Sequence, residues 1–231
     1  MNDVAKKEEP SKDLAIAIPG ALLAIAGKIK DPTREDVIDS YQFSSEVAGK
    51  LFNPNTQCEE WFKKFLSVMQ DCGWVVVRQK YQKTESGSQS LKIGAIASKA
   101  VSGIGSAVLG GPAGTALRKL ADGALKKLGL SEEAQQIIKR KTDNSKTGSV
   151  GLAACLVTES DDVVLVTSAV QTSKSGKDAD WALFEWAGSS SDTYEAAAAL
   201  MLNRKLYHSI RDAIIDKLKQ HKQSRVLLHD I

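Results

Sequence analysis

Between Ile93 and Leu117 the chain carries one ionisable side chain, Lys99, and small residues recur at every fourth position: Gly94, Ser98, Ser102, Ser106, Gly110 and Gly114. Each glycine in a helix interior costs about 1 kcal/mol relative to alanine, so close packing has to offset the loss. A ladder of small residues forms a groove that another helix can approach closely, as helices do when they associate in lipid. The 25 residues from Ile93 to Leu117 would extend about 37 Å as one helix, longer than a hydrocarbon core of about 30 Å. Steps of four also drift by about 40° around a straight helix, so no single partner touches the whole ladder. Gly110-Gly111-Pro112 predicts a break, because proline lacks the amide N–H and clashes with the preceding turn. The expected result is one helix over Ile93–Leu109 and a second over Ala113–Leu128.

The second of these is amphipathic. Leu117, Leu120, Ala121, Ala124, Leu125 and Leu128 share one face, opposite Arg118, Lys119, Lys126 and Lys127, with Asp122 the one acid among them. Such a helix suits adsorption to anionic lipid, its cations on the headgroups and its apolar side in the interface. Residues 93–128 resemble, in a generic way, the apolar hairpins of membrane-inserting toxins. The resemblance implies a membrane-active toxin or virulence-type protein that keeps the hairpin packed while soluble and inserts it into or onto a bilayer. The partners so implied are an anionic lipid membrane and, through the ladder, a second copy of the chain. Two readings compete: a soluble interaction or scaffold protein whose hairpin is a core element, and an enzyme whose site assembles in space.

Elsewhere the patterns alternate between helical and strand periods. Asp31-Pro32 opens a helix that Asn53-Pro54 stops, and Thr56 with Glu59 forms a capping box before Trp61, Phe62, Phe65, Leu66 and Met69. Trp74–Tyr81, rich in β-branched and aromatic residues, predicts a strand. Ser131-Glu132-Glu133 starts a helix that Lys139-Arg140-Lys141 closes, with charges suited to the helix dipole. Strands are expected over Ser149–Val157, Val163–Gln171 and Trp181–Trp186, joined as an antiparallel meander. Asp192 with Glu195 predicts a helix running from Ala196 past Lys219, and Val226-Leu-Leu228 an edge strand. The fold class expected is α+β, an antiparallel sheet of four or five strands packed with several helices. Residues 31–231 form one domain in this reading, and residues 1–30 a partly mobile N-terminal segment.

The 42% hydrophobic and 26% charged composition excludes disorder throughout. Net charge is only +3, and although Arg118–Lys141 holds seven cations against three anions, no aromatic residues interleave to stack bases. Nucleic acid is therefore disfavoured as a partner. Cys58, Cys72 and Cys155 form neither a disulfide framework nor a CxxC motif. Cys155, in an apolar run, is the candidate for a reactive or acylated thiol, against the bland reading of a buried inert one. His208, His221 and His229 lack zinc-ligand spacing, and Gly110–Thr115 lacks the phosphate-loop lysine, so neither metal nor cofactor is expected.

The apolar run Leu14–Gly27 raises a signal peptide. Balanced charges before it and Pro19-Gly20 within it argue against one. The expected location is synthesis as a soluble cytoplasmic protein, delivery or secretion without a classical signal, and membrane association when active.

Overall fold

A computed structural model describes residues 12–86, 91–129, 131, 148–172, 185–186 and 191–226. Strands β1 (Leu14–Ile18) and β2 (Ala21–Ile25) come first, then α1 (Thr33–Leu51), α2 (Cys58–Asp71), β3 (Trp74–Ser86) and β4 (Leu91–Lys92). Helices α3 (Ile93–Leu109) and α4 (Gly111–Gly129) follow, then β5 (Gly148–Val157), β6 (Val163–Thr172), β7 (Glu185–Trp186), β8 (Ser191–Leu202) and α5 (Arg204–Val226).

Six strands make one sheet in the order β1-β2-β5-β6-β8-β3, and β4 pairs with β7 separately. The class is α+β as expected, with a larger sheet than the four or five strands anticipated. The extra strands come from the N-terminal segment, where Leu14–Ile18 and Ala21–Ile25 form a hairpin about Gly20 at φ +82°. Every residue of β2 is buried, which explains why Ala-Leu-Leu-Ala-Ile shows no alternation: both its faces are covered. The sheet is antiparallel except between β2 and β5, which run parallel. That pair is separated by α1 to α4, as a parallel neighbour requires a long crossover. The short turn from Thr158 to Asp162 joins β5 to β6, with Asp161 at φ +63°.

Ser191–Leu202 is a strand, where a helix was expected from Ala196 onward. Alanine is the best helix former, yet Ala196–Ala199 lie in a strand hydrogen-bonded to β6 on one side and β3 on the other. Tertiary pairing overrides propensity here, and small side chains let α3 settle on the strand. The helix begins instead at Arg204, where the Asn203 side chain accepts a hydrogen bond from Leu206 N at 3.0 Å. Similarly, Thr56 and Glu59 form no capping box: α2 starts at Cys58 without a side-chain cap. Pro32 sits at the cap of α1 rather than in its first turn. Val226 closes α5, so it does not begin an edge strand. The expected helix after Ser131 lies outside the described residues, as do Trp181–Phe184 and residues 227–231.

Alternate residues along the strands feed two separate cores. Leu23, Ile25, Cys155, Leu165 and Ala198 point to one side, where α1, α2 and α5 pack with Tyr41, Trp61, Phe65, Trp74 and Tyr207. Leu22, Ala24, Leu152, Val164, Val166 and Ala199 point to the other, which α3 and α4 cover. Polar ties hold the first layer as well. Trp74 Nε1 donates to Ser40 Oγ at 3.0 Å, Tyr41 OH and Thr167 Oγ1 are 3.2 Å apart, and Arg211 Nε meets Asp36 Oδ1 at 2.6 Å. Gln171 Nε2 and Ser149 N donate to the O and Oδ1 of buried Asn55 at 2.6 and 2.9 Å.

Candidate functional site

The small-residue run is two antiparallel helices. Helix α3 ends at Leu109, Gly110 turns the chain at φ +89°, and α4 begins at Gly111. The left-handed conformation at Gly110 is one that side chains other than glycine rarely adopt, and it closes the helix end by donating to Ser106 O at 3.0 Å.

This geometry divides the ladder. Gly94 and Ser98 are buried, Ser102 and Ser106 half-buried, and Gly110 exposed in the link. Gly114 is buried too, but on α4, where it faces back across the hairpin. A β-carbon added there would lie 2.8 Å from Ser106 Cα, so the two helices touch backbone to backbone. Ser102 Oγ lies 3.4 Å from Gly114 O, and Ser98 Oγ donates to Asp122. The groove on α3 is thus filled by the next helix of the same chain.

Gly105 belongs to this contact although it lies off the four-residue ladder. Its hypothetical β-carbon would collide with Leu117 Cδ1, because the buried leucine uses the gap. The mixed three-and-four spacing Ser98, Ser102, Gly105 was the signal for it, since that pattern keeps one face toward one partner.

Glycines at and away from this seam should therefore respond oppositely to alanine. Gly114→Ala forces apart two backbones and should lower stability by about 1–3 kcal/mol. A β-carbon at Gly103 meets nothing within 4 Å, so Gly103→Ala should raise stability by about 0.5–1 kcal/mol through helix propensity. Chemical denaturation of both variants checks the sign of each.

Inward, α3 and α4 present Ile93, Val101, Ile104, Leu117, Leu120 and Leu128 to the sheet in a core that is aliphatic among the described residues. Outward, Lys99, Arg118, Lys119, Lys126 and Lys127 are all exposed against the single acid Asp122. Arg118 Nε pairs with Asp122 at 3.6 Å, and Lys127 Nζ donates to Asp13 O at 2.9 Å. Lys99, Lys119 and Lys126 have no ion-pair partner among the described residues. Side-chain hydrogen bonds from the hairpin to the sheet are equally sparse. Ser168 Oγ donates to Ala97 O at 3.1 Å, and the Lys127 bond reaches Asp13 just ahead of β1.

The run does not form a single span. The 17 residues of α3 measure about 25 Å, short of a bilayer core, and no helix among the described residues is long and apolar enough to cross a membrane.

Cys155 lies in β5 with no exposed surface, facing the aromatic core on the side opposite the hairpin. Burial pushes its thiol up, and pushes Cys58 up to about 12 and Cys72 up to about 11. Since the thiolate is the nucleophile, an aromatic disulfide reagent at neutral pH should titrate none of the three thiols in the folded protein and all three in denaturant. Rapid labelling of Cys155 in the native state would support its reading as a reactive or acylated residue. His208 is exposed on α5, while Cys155 is buried in β5. Among the described residues no group of His, Cys, Asp or Glu is arranged to hold a metal.

No protein-family model matches the chain, and no curated protein matches it. Solved structures to which it is similar include a delta-endotoxin, 12% identical, with 87% of this chain and 91% of that one covered at a TM-score of 0.45. Activated Cyt2Ba monomer from Bacillus thuringiensis subsp. israelensis is 10% identical over 81% of this chain and 98% of its own, at a TM-score of 0.41. The Evf virulence factor is 10% identical over 94% and 83%, at a TM-score of 0.34. Likeness at this level carries no functional conclusion.

Proposed function

We propose that this is a membrane-active protein of toxin or virulence type, whose α3–α4 hairpin leaves the sheet to lie in the interface of an anionic bilayer. The observation that carries this reading is the hairpin's construction: internally sealed, aliphatic inside, cationic outside, and tied to the sheet by few polar bonds. Contacts between Gly114 and Ser106 and between Ser98 and Asp122 join α3 to α4, so the pair moves as a unit. Aromatic anchors and a buried hydrogen-bond network hold the opposite layer in place. The lengths of the helices favour adsorption with the apolar face down over a transmembrane arrangement.

Flotation tests this. The protein should rise with vesicles containing phosphatidylserine and stay down with pure phosphatidylcholine, and binding should weaken with salt as surface charges are screened. Dye leakage should accompany binding. Absence of both with anionic vesicles at every pH from 5 to 8 would sink the proposal.

The burial of Ile93, Val101, Ile104 and Leu117 against the sheet favours a second reading, in which the hairpin is a fixed cover of a soluble interaction protein. Under that reading α3 and α4 keep their contacts with the sheet whether or not lipid is present.

A further inference from the structure

On the outer flank of α3 the sheet runs on beyond the helix, leaving a groove of about 340 Å³ between α3, β8 and the edge strand β3. Its wall on α3 is Gly103, Ile104 and Ala107, its rim on β3 is Arg78 and Lys80, and Glu195 of β8 closes the ring. Arg78 and Lys80 stand opposite Ala199 and Ala197 in the β3–β8 register, and directly paired residues share a face, so both cations sit on the hairpin side of the sheet. They are about 7 Å apart along the strand, close enough to straddle one small anion. Both are exposed, and neither has an ion-pair partner among the described residues. Gly103 leaves the apolar wall open, for nothing lies within 4 Å of where its β-carbon would be.

An apolar trough with two unpaired cations at one rim complements an amphiphile whose head is anionic. The volume is at the low end of the roughly 300–1,000 Å³ typical of ligand sites, which suits one acyl chain rather than two. Two cations and one carboxylate leave a net charge of +1, which matches a monoanionic head. Arg78 can also bond a planar carboxylate through two parallel N–H groups. We infer that this groove binds a single medium-chain fatty acid, its carboxylate between Arg78 and Lys80 and its chain lying against Gly103, Ile104 and Ala107. The site is on the flank of the hairpin but does not depend on membrane adsorption.

Calorimetric titration of the full chain with monomeric decanoate, without vesicles, tests this separately from flotation. One decanoate should bind per chain, with decanol and decylamine at least tenfold weaker. Arg78→Gln and Lys80→Gln should each weaken binding about tenfold. Gly103→Leu should abolish it without lowering the thermal midpoint, and Ala107→Leu, at an exposed position, should do the same. Decanoate that fails to saturate a site, or binding that survives both groove-filling substitutions, would overturn the inference. So would tighter binding of decanoyl lysophosphatidate, which would assign the rim to a phosphate head. Displacement of decanoate by a glutamate-rich extended peptide pairing with the edge strand β3 would assign the groove to protein instead. If flotation fails while decanoate binds, the membrane reading falls and the groove stands.

Discussion

Binding to anionic vesicles should fall by about three orders of magnitude when Arg118, Lys119, Lys126 and Lys127 are all replaced by glutamine. Each basic side chain near an anionic surface contributes about 1 kcal/mol, and 1.4 kcal/mol is a factor of ten in affinity. All four are exposed, and the bonds removed are slight: one surface ion pair to Asp122 and one hydrogen bond to Asp13 O. Surface pairs of this kind contribute about 0–1 kcal/mol, so the variant should remain folded, with circular dichroism and a denaturation midpoint close to those of the parent. Its residual binding should also depend less on salt, because fewer charges are left to screen. Affinity within tenfold of the parent would place the lipid-facing surface elsewhere on the protein.

Gly73→Ala should be the most damaging small substitution, at about 2–5 kcal/mol. Gly73 joins α2 to β3 at φ +83°, and a β-carbon there would meet the backbone nitrogen of Tyr207 at 2.8 Å and its Cα at 3.2 Å. The left-handed conformation costs a residue other than glycine about 1–2 kcal/mol, and forcing two backbones apart about 1–3 kcal/mol more. Neither term can relax cheaply. Gly73 O also accepts from Asn203 N at 2.9 Å, at the point where β8 hands over to α5. Against a total stability of roughly 5–15 kcal/mol, urea denaturation should show a large drop in midpoint. A midpoint within error of the parent would mean that α5 does not pack on this turn as described.

These positions show which parts of the fold are legible in the residues themselves. The two helices of the small-residue run were legible because Gly110 and Pro112 have strong local consequences, and Trp61 to Met69 because an amphipathic face depends only on spacing. Strand β8 was not, because four consecutive alanines favour a helix in isolation and become a strand through pairing with β6 and β3, far away in the chain. Strand β2 was obscured for a related reason: buried on both faces, it lacks the alternation that marks a half-exposed strand. Asn203 was a usable signal for the start of α5, outweighed by the acidic pair Asp192 and Glu195.

The candidate site divides the same way. Its charges and small residues are contiguous, so the outer face of α4 and the groove of α3 were both visible. The occupant of that groove was not, since it depends on a turn that brings Gly114 onto Ser106. Arg78 and Lys80 carried no local sign of a role, for the groove they border exists only once β3 lies beside α3.

Separation of the hairpin from the sheet at a membrane can be read as a distance. Ala116 on α4 and Ser67 on α2 are exposed on opposite layers, and the native cysteines are buried, so Ser67→Cys with Ala116→Cys allows two spin labels to be placed selectively. In solution the pair should give a single narrow distance distribution. With phosphatidylserine vesicles it should lengthen by at least one helix diameter, roughly 10 Å. An unchanged distance in protein that is bound to those vesicles would rule out that separation and leave the hairpin as a fixed cover.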